Sequence, residues 1–182
     1  MHGGYAKQAK FYVGMEGQGT NEQNYLLYSP VSKFRIHEEY LENDRHDLAV
    51  AKLDKNVGVD VGWAALKAFK DEELKGINVN VTGYPSFYGR EGFTTYLMYT
   101  MEGPIFKVDP NKAYYYIDTS GGQSGAGVWK INTETNIVEC VAVHVNGFEK
   151  HGEPNEATRI NKENFSTIYD WKAKFEKEPS DK

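Results

Sequence analysis

The chain of 182 residues is long enough to bury one sizeable core or two small packed barrels. Its 14% aromatic content, 18 glycines and lack of long helical periodicity favour an all-β class built from many short strands and turns. A net charge of −5 with no basic block argues against a nucleic-acid partner, no apolar run approaches the ~20 residues that span a bilayer, and the single cysteine, Cys140, excludes an internal disulfide and any multi-cysteine metal site.

Taken in order, Met1-His2-Gly3-Gly4 lacks the apolar segment of a signal peptide and runs almost directly into a strand over residues 5–15, so the chain is expected to start within a domain. Residues 25–28 and 32–40 read as two further strands, the polar stretch 16–24 being the loop before them. The polar cluster Glu42 to Asp47 abuts Leu48-Ala49-Val50-Ala51-Lys52-Leu53, whose small and β-branched residues suit a buried strand. Residues 58–76 hold Trp63, Leu66, Phe69 and Leu74 among helix-forming spacers and predict a loop with a helical turn between two halves. Alternation returns at Ile77, Val79 and Val81 and stops at Gly83-Tyr84-Pro85. Residues 94–101 predict a strand, Glu102-Gly103-Pro104 a turn, and Tyr114 to Ile117 another strand. Strands over 128–131 and 137–145 flank a turn at 132–136, a polar loop covers 149–156, and an amphipathic helix comes after Asn161, with Asn161 or Asn164 as its cap.

Between two of these strands lies Asp118-Thr119-Ser120-Gly121-Gly122-Gln123-Ser124-Gly125-Ala126-Gly127. Glycine this dense serves backbone that must approach closely or take positive φ. A phosphate loop would need an earlier lysine than Lys130 and a following helix. A hydrolase elbow would need glycine, not Ala126, two residues after the serine. What remains is either a glycine-rich β-turn or a nucleophilic serine set among free backbone N–H groups. Asp47 likewise reads as a turn aspartate or as a carboxylate that orients a histidine.

Gly122-Gln123-Ser124-Gly125 resembles the nucleophile signature of chymotrypsin-like serine proteases, and Asp47-Leu48-Ala49-Val50 resembles their aspartate motif, in the family's order. The resemblance covers roughly residues 5–172. It implies two Greek-key antiparallel β-barrels with a carboxy-terminal helix, the amino-terminal barrel being incomplete here. The expected parts are 1–75 (remnant of the first barrel and connector), 76–160 (second barrel, with nucleophile and pocket) and 161–182 (helix and tail). It assigns Ser124 as nucleophile, Asp47 as orienting carboxylate, and the backbone N–H groups of Gly122 and Ser124 as the oxyanion hole. It further implies polypeptide substrates, no cofactor, no catalytic metal, no membrane partner and a secreted setting.

The glutamyl-endopeptidase branch is the most similar, because Thr119 and His144 match two residues that line its acidic-specificity pocket. Read from the residues alone, Thr119 is also a strand former and His144 a satisfied histidine on a barrel strand. Asp118 occupies the position where basic-specific relatives carry an aspartate. The family's catalytic histidine, in a Thr-Ala-Ala-His-Cys-like motif, has no counterpart here. Gly3-Gly4-Tyr5-Ala6 resembles the family's residues just after that histidine, so the histidine and about two strands are expected to precede residue 1, with His2 the weaker alternative. The chain thus has two readings: a serine endopeptidase, and a catalytically inactive binding module on a protease fold. His37-Glu38-Glu39 and His46-Asp47 read as solvated surface groups, and Cys140 as a buried structural thiol.

Overall fold

A computed structural model describes residues 8–16, 24–41, 43–86, 97–147 and 152–178. The expectations for His2 and for the head of the first strand lie outside these residues. The mostly β architecture contains two sheets. Strands β1 (Lys10–Val13), β2 (Leu27–Ile36) and β3 (Ala49–Leu53) form an antiparallel sheet with β2 in the middle. Two one-turn helices, α1 (Gly58–Val61) and α2 (Asp71–Leu74), bracket the short strand β4 (Ala65–Leu66).

The remaining strands are β5 (Asn78–Gly83), β6 (Tyr99–Val108), β7 (Lys112–Tyr115), β8 (Gly127–Asn132), β9 (Ile137–Asn146) and β10 (Asn155–Arg159). They pair antiparallel in the order β10-β7-β6-β5-β8-β9, and β9 pairs back onto β10. That last ladder closes a six-stranded barrel, which removes its edges. Strand β4 adds in parallel to the outside of β9. The second barrel expected on the amino-terminal side is incomplete, represented by the three-stranded sheet.

Alternation builds the barrel core. Val79 and Val81 of β5, Val128 of β8 and Val141 of β9 turn inward against Ile105, Tyr115 and Ile117, and all are buried. Each such side chain contributes about 1.5–3 kcal/mol by leaving water.

Three local expectations are corrected. The two strands expected at 25–28 and 32–40 are one strand, β2, followed by a 3-10 turn at Glu38–Leu41. Pro30 is accommodated because β2 is bulged against β3 between Val31 and Lys33. Glu102-Gly103-Pro104 is no turn but the middle of β6. Gly103 lies where a Cβ would come within 2.9 Å of Ile117 Cγ1. Pro104 ends the β5 ladder opposite Asn78, and the β7 ladder begins only at Ile105, so its missing N–H costs no pairing there. The polar loop expected at 149–156 gives way at Asn155 to β10.

Strand β10 escaped notice because four of its five residues are polar, yet its last three are buried. Arg159, 2% exposed, donates from Nη1 to the Asp71 carboxylate at 2.8 Å and to Asp109 O at 2.6 Å. Its Nη2 donates to Phe69 O at 3.1 Å. The guanidinium thus fixes the β6–β7 turn and the α2 segment to the strand that closes the barrel.

The carboxy-terminal helix α3 (Lys162–Lys177) starts as expected. The Asn164 N–H donates to the Asn161 side chain at 2.7 Å, satisfying one of the helix's free donors. Its far end reaches the other sheet. Arg35 of β2 lies over the Phe175 ring at 5.4 Å, and Lys52 of β3 donates to Phe175 O at 3.0 Å. Glu178 pairs with Lys33 and Arg35 of β2. Cations at the negative end of a helix are favourably placed.

Candidate active site

The nucleophile stretch is held by strand β9. The His144 N–H donates to Ala126 O at 2.9 Å, and His144 O accepts from the Gly125 N–H at 2.7 Å. Ser124 Oγ donates to Val145 O at 3.1 Å. Within the stretch, the Ser120 N–H donates to the buried Gln123 Oε1 at 2.7 Å, and the Ala126 N–H donates to Gln123 O at 2.9 Å. These bonds form a compact turn with Ser124 exposed at its tip.

The glycines around it do different jobs. Gly122 has φ +94°, and a Cβ there would lie 2.9 Å from Ser86 N and 3.0 Å from Tyr84 O. Both the conformation and the space therefore require glycine at this position. Neither the Gly122 nor the Ser124 N–H donates to a backbone acceptor among the described residues.

Strand β9 also carries a candidate pocket residue, His144. His144 is buried at 1% exposure, and its Nδ1 lies 2.7 Å from the hydroxyl of Tyr115, itself fully buried. Burial pushes the Tyr115 phenol well above its usual range, so its O–H stays protonated, and which of the hydroxyl and Nδ1 donates is set by the imidazole tautomer. In the tautomer with the proton on Nε2, Tyr115 donates to Nδ1 and His144 keeps an N–H donor on its other side. The other member of the pocket, Thr119, has a buried Oγ1 with no protein partner. A Cβ on Gly147, three residues after His144, would come within 3.1 Å of that Oγ1. The segment made of β9 and the residue after it thus passes Ser124 at Val145 and the Thr119 hydroxyl at Gly147. Asp118, beside Thr119, is exposed. Sequence reasoning named Thr119 and His144 as candidates but not Tyr115, the bonded partner of His144, which the run Tyr114-Tyr115-Tyr116 hides among strand formers.

Burial pushes the His144 imidazole down to about 4 from its ordinary 6.5. Between these values the unfolded chain binds a proton that the folded chain rejects, so this contribution is complete above pH 6.5 and lost as pH falls to 4. Stability is expected to drop by up to about 3 kcal/mol across that window. Urea denaturation of wild type and His144→Gln at several pH values checks it: the variant's slope between these limits should be shallower.

Asp47 is on the other sheet, half-buried between the 3-10 turn Asp44–His46 and β3, and anchored by the buried Leu48. The described histidines do not supply Ser124 with a base. His144 is committed to Tyr115, while His37 and His46 stack on each other with ring centroids 4.1 Å apart. Cys140 is half-buried, and desolvation pushes its thiol up, as suits a structural cysteine.

No protein-family model matches the chain. A curated relative from Bacillus licheniformis, described as a glutamyl endopeptidase, is 32% identical over 133 residues, covering 71% of this chain and 40% of the relative. A Bacillus subtilis protein described as an extracellular metalloprotease is 28% identical over 130 residues, covering 71% of this chain and 39% of that protein. The chain thus spans about two fifths of the length of the curated relatives it matches. A solved structure of a Glu endopeptidase in complex with MPD superposes with a TM-score of 0.74 at 26% identity, covering 93% of this chain and 74% of that one.

Proposed function

This chain is a chymotrypsin-like relative of the glutamyl endopeptidases, with a trypsin-like serine protease fold and matched over part of the relatives' length, and we propose that it carries the nucleophile, oxyanion hole and acidic-residue pocket of a serine endopeptidase. The observation that carries this reading is the use of one strand for two tasks. Strand β9 fixes the Ser124 turn through His144 and Val145, and Gly147, directly after the strand, approaches the Thr119 hydroxyl.

In the proposed reaction Ser124 Oγ adds to the peptide carbonyl carbon while its proton passes to a histidine base whose tautomer Asp47 holds. The carbonyl oxygen becomes an oxyanion and accepts from the N–H groups of Gly122 and Ser124. Collapse expels the amine, which takes the proton, and water then cleaves the acyl ester by the same sequence. The base is a group that the described residues do not supply. The substrate's glutamate carboxylate accepts from His144 Nε2–H and Thr119 Oγ–H, and the imidazole N–H is a donor that a lysine ammonium cannot use. The substrates are polypeptides, and an extracellular setting fits the Bacillus subtilis relative's description.

One observation favours a second reading, a catalytically inactive binding module: Ser124 Oγ is bonded to a backbone carbonyl and, among the described residues, to no histidine. A fluorophosphonate probe on the full-length gene product separates the two. Labelling of Ser124 supports the peptidase, and absence of modification leaves the binding module. Peptides carrying Glu or Lys before the cleaved bond then test the pocket. Glu is expected to be preferred about 10²-fold or more in kcat/KM. Equal turnover, or preference for Lys, would transfer control of specificity to Asp118.

A further inference from the structure

Three polar residues from segments that look unrelated in sequence meet beside the amino-terminal sheet. His37 comes directly after the end of β2, Glu39 lies in the 3-10 turn Glu38–Leu41, and His46 ends the 3-10 turn Asp44–His46. One ligand atom from each falls within 4.8 Å of the other two. From this juxtaposition we propose that His37, Glu39 and His46 form a binding site for a divalent transition-metal ion of the zinc class.

Geometry and donor chemistry both support the site. His46 Nε2 lies 3.2 Å from Glu39 Oε2, and the His46 side chain is nearly buried. That contact uses only one ring nitrogen, because His46 Nδ1 is buried with no hydrogen-bond partner. An ordinary surface ion pair would leave the remaining nitrogen in water, so His46 holds donor capacity that no protein group takes up. The two imidazole rings stack 16° from parallel. His37 Nδ1 accepts from the Glu39 N–H at 3.3 Å, a bond that holds the imidazole beside the Glu39 turn. Two neutral imidazoles and one carboxylate carry a single negative charge. Nitrogen donors of this kind select zinc, cobalt, nickel or copper over calcium and magnesium, which require oxygen cages. Three protein ligands leave at least one position for water.

The location gives the site a consequence. An ion there would tie the end of β2 to the turn that delivers Asp47, the residue after His46. The site is structural, on a different sheet from Ser124, and stands or falls independently of the peptidase reading.

The test uses the full chain, freed of metal and of any histidine tag. Titration with Zn2+ by calorimetry, and with Co2+ followed by its visible absorption, should give one ion per chain. His37→Gln and Glu39→Gln alter a half-buried and an exposed side chain, so folding is retained and circular dichroism confirms it. Each is expected to weaken binding at least tenfold, whereas a His2→Gln/His151→Gln variant should bind as wild type. Hydrogen exchange of residues 44–48 should slow on adding Zn2+. The proposal is overturned if wild type binds no stoichiometric ion, if His37→Gln and Glu39→Gln bind as wild type, if binding tracks His2 and His151, or if exchange at 44–48 is unchanged.

Discussion

Replacing Ser124 with alanine in the full-length gene product is expected to abolish fluorophosphonate labelling and to lower kcat/KM for a glutamyl peptide by about 10⁴–10⁶. The magnitude comes from the chemistry: without the hydroxyl there is no acyl-enzyme, and only the oxyanion donors and substrate binding remain. These sustain about 10³–10⁴ over the uncatalysed reaction in such enzymes. Stability should barely change, because Ser124 is exposed and its bond to Val145 O is worth about 1 kcal/mol. Steady-state kinetics beside thermal melts separate the two effects. A folded variant that keeps more than about one per cent of the rate would place the nucleophile elsewhere.

The largest effect on stability is expected at Arg159. Its alanine variant should lose about 3 kcal/mol, seen as a melting temperature lower by roughly 6–12 °C for a domain of this size. The loss has two sources. Asp109 O and Phe69 O each surrender a charged donor, and a guanidinium-sized space opens beneath the closing strand. Asp71 contributes less to the loss, since its carboxylate is largely exposed and water replaces the lost partner. A shift of under about 2 °C would show that the barrel closes without this cation.

Much of the fold could be read from sequence wherever burial has a simple period. Val79 and Val81 alternate, the 132–136 turn separates two apolar runs, and Asn161 precedes a helical stripe; each feature lies where its pattern says. Period-based reading failed where tertiary partners override local preference. Gly103-Pro104 has turn composition, but Ile117 packing and the end of a ladder make it strand. Asn155 to Arg159 has loop composition, but partners on β7 and β9, with the Arg159 network, make it the strand that closes the barrel. The same division holds in the candidate site. The serine turn and the pocket residues are carried by local motifs. Tyr115 and the His37–Glu39–His46 cluster depend on contacts between distant segments, which no local spacing encodes.

The docking of α3 across both sheets bears on how the molecule opens. A three-stranded sheet is marginal by itself, and this one exposes Phe11, Leu26 and Phe34. Arg35, Lys33 and Lys52 fasten it to the last turn of a helix whose first turn is anchored on the barrel side, through Asn161 to Pro110 O and Asn164 to Arg159 O. The helix therefore acts as a thermodynamic tether. Fraying of its final turn releases the small sheet as a separate low-stability unit while the barrel stays closed. Asp47 belongs to that unit and Ser124 does not. Sub-global opening would thus carry Asp47 away from the barrel that holds Ser124 well before the protein unfolds.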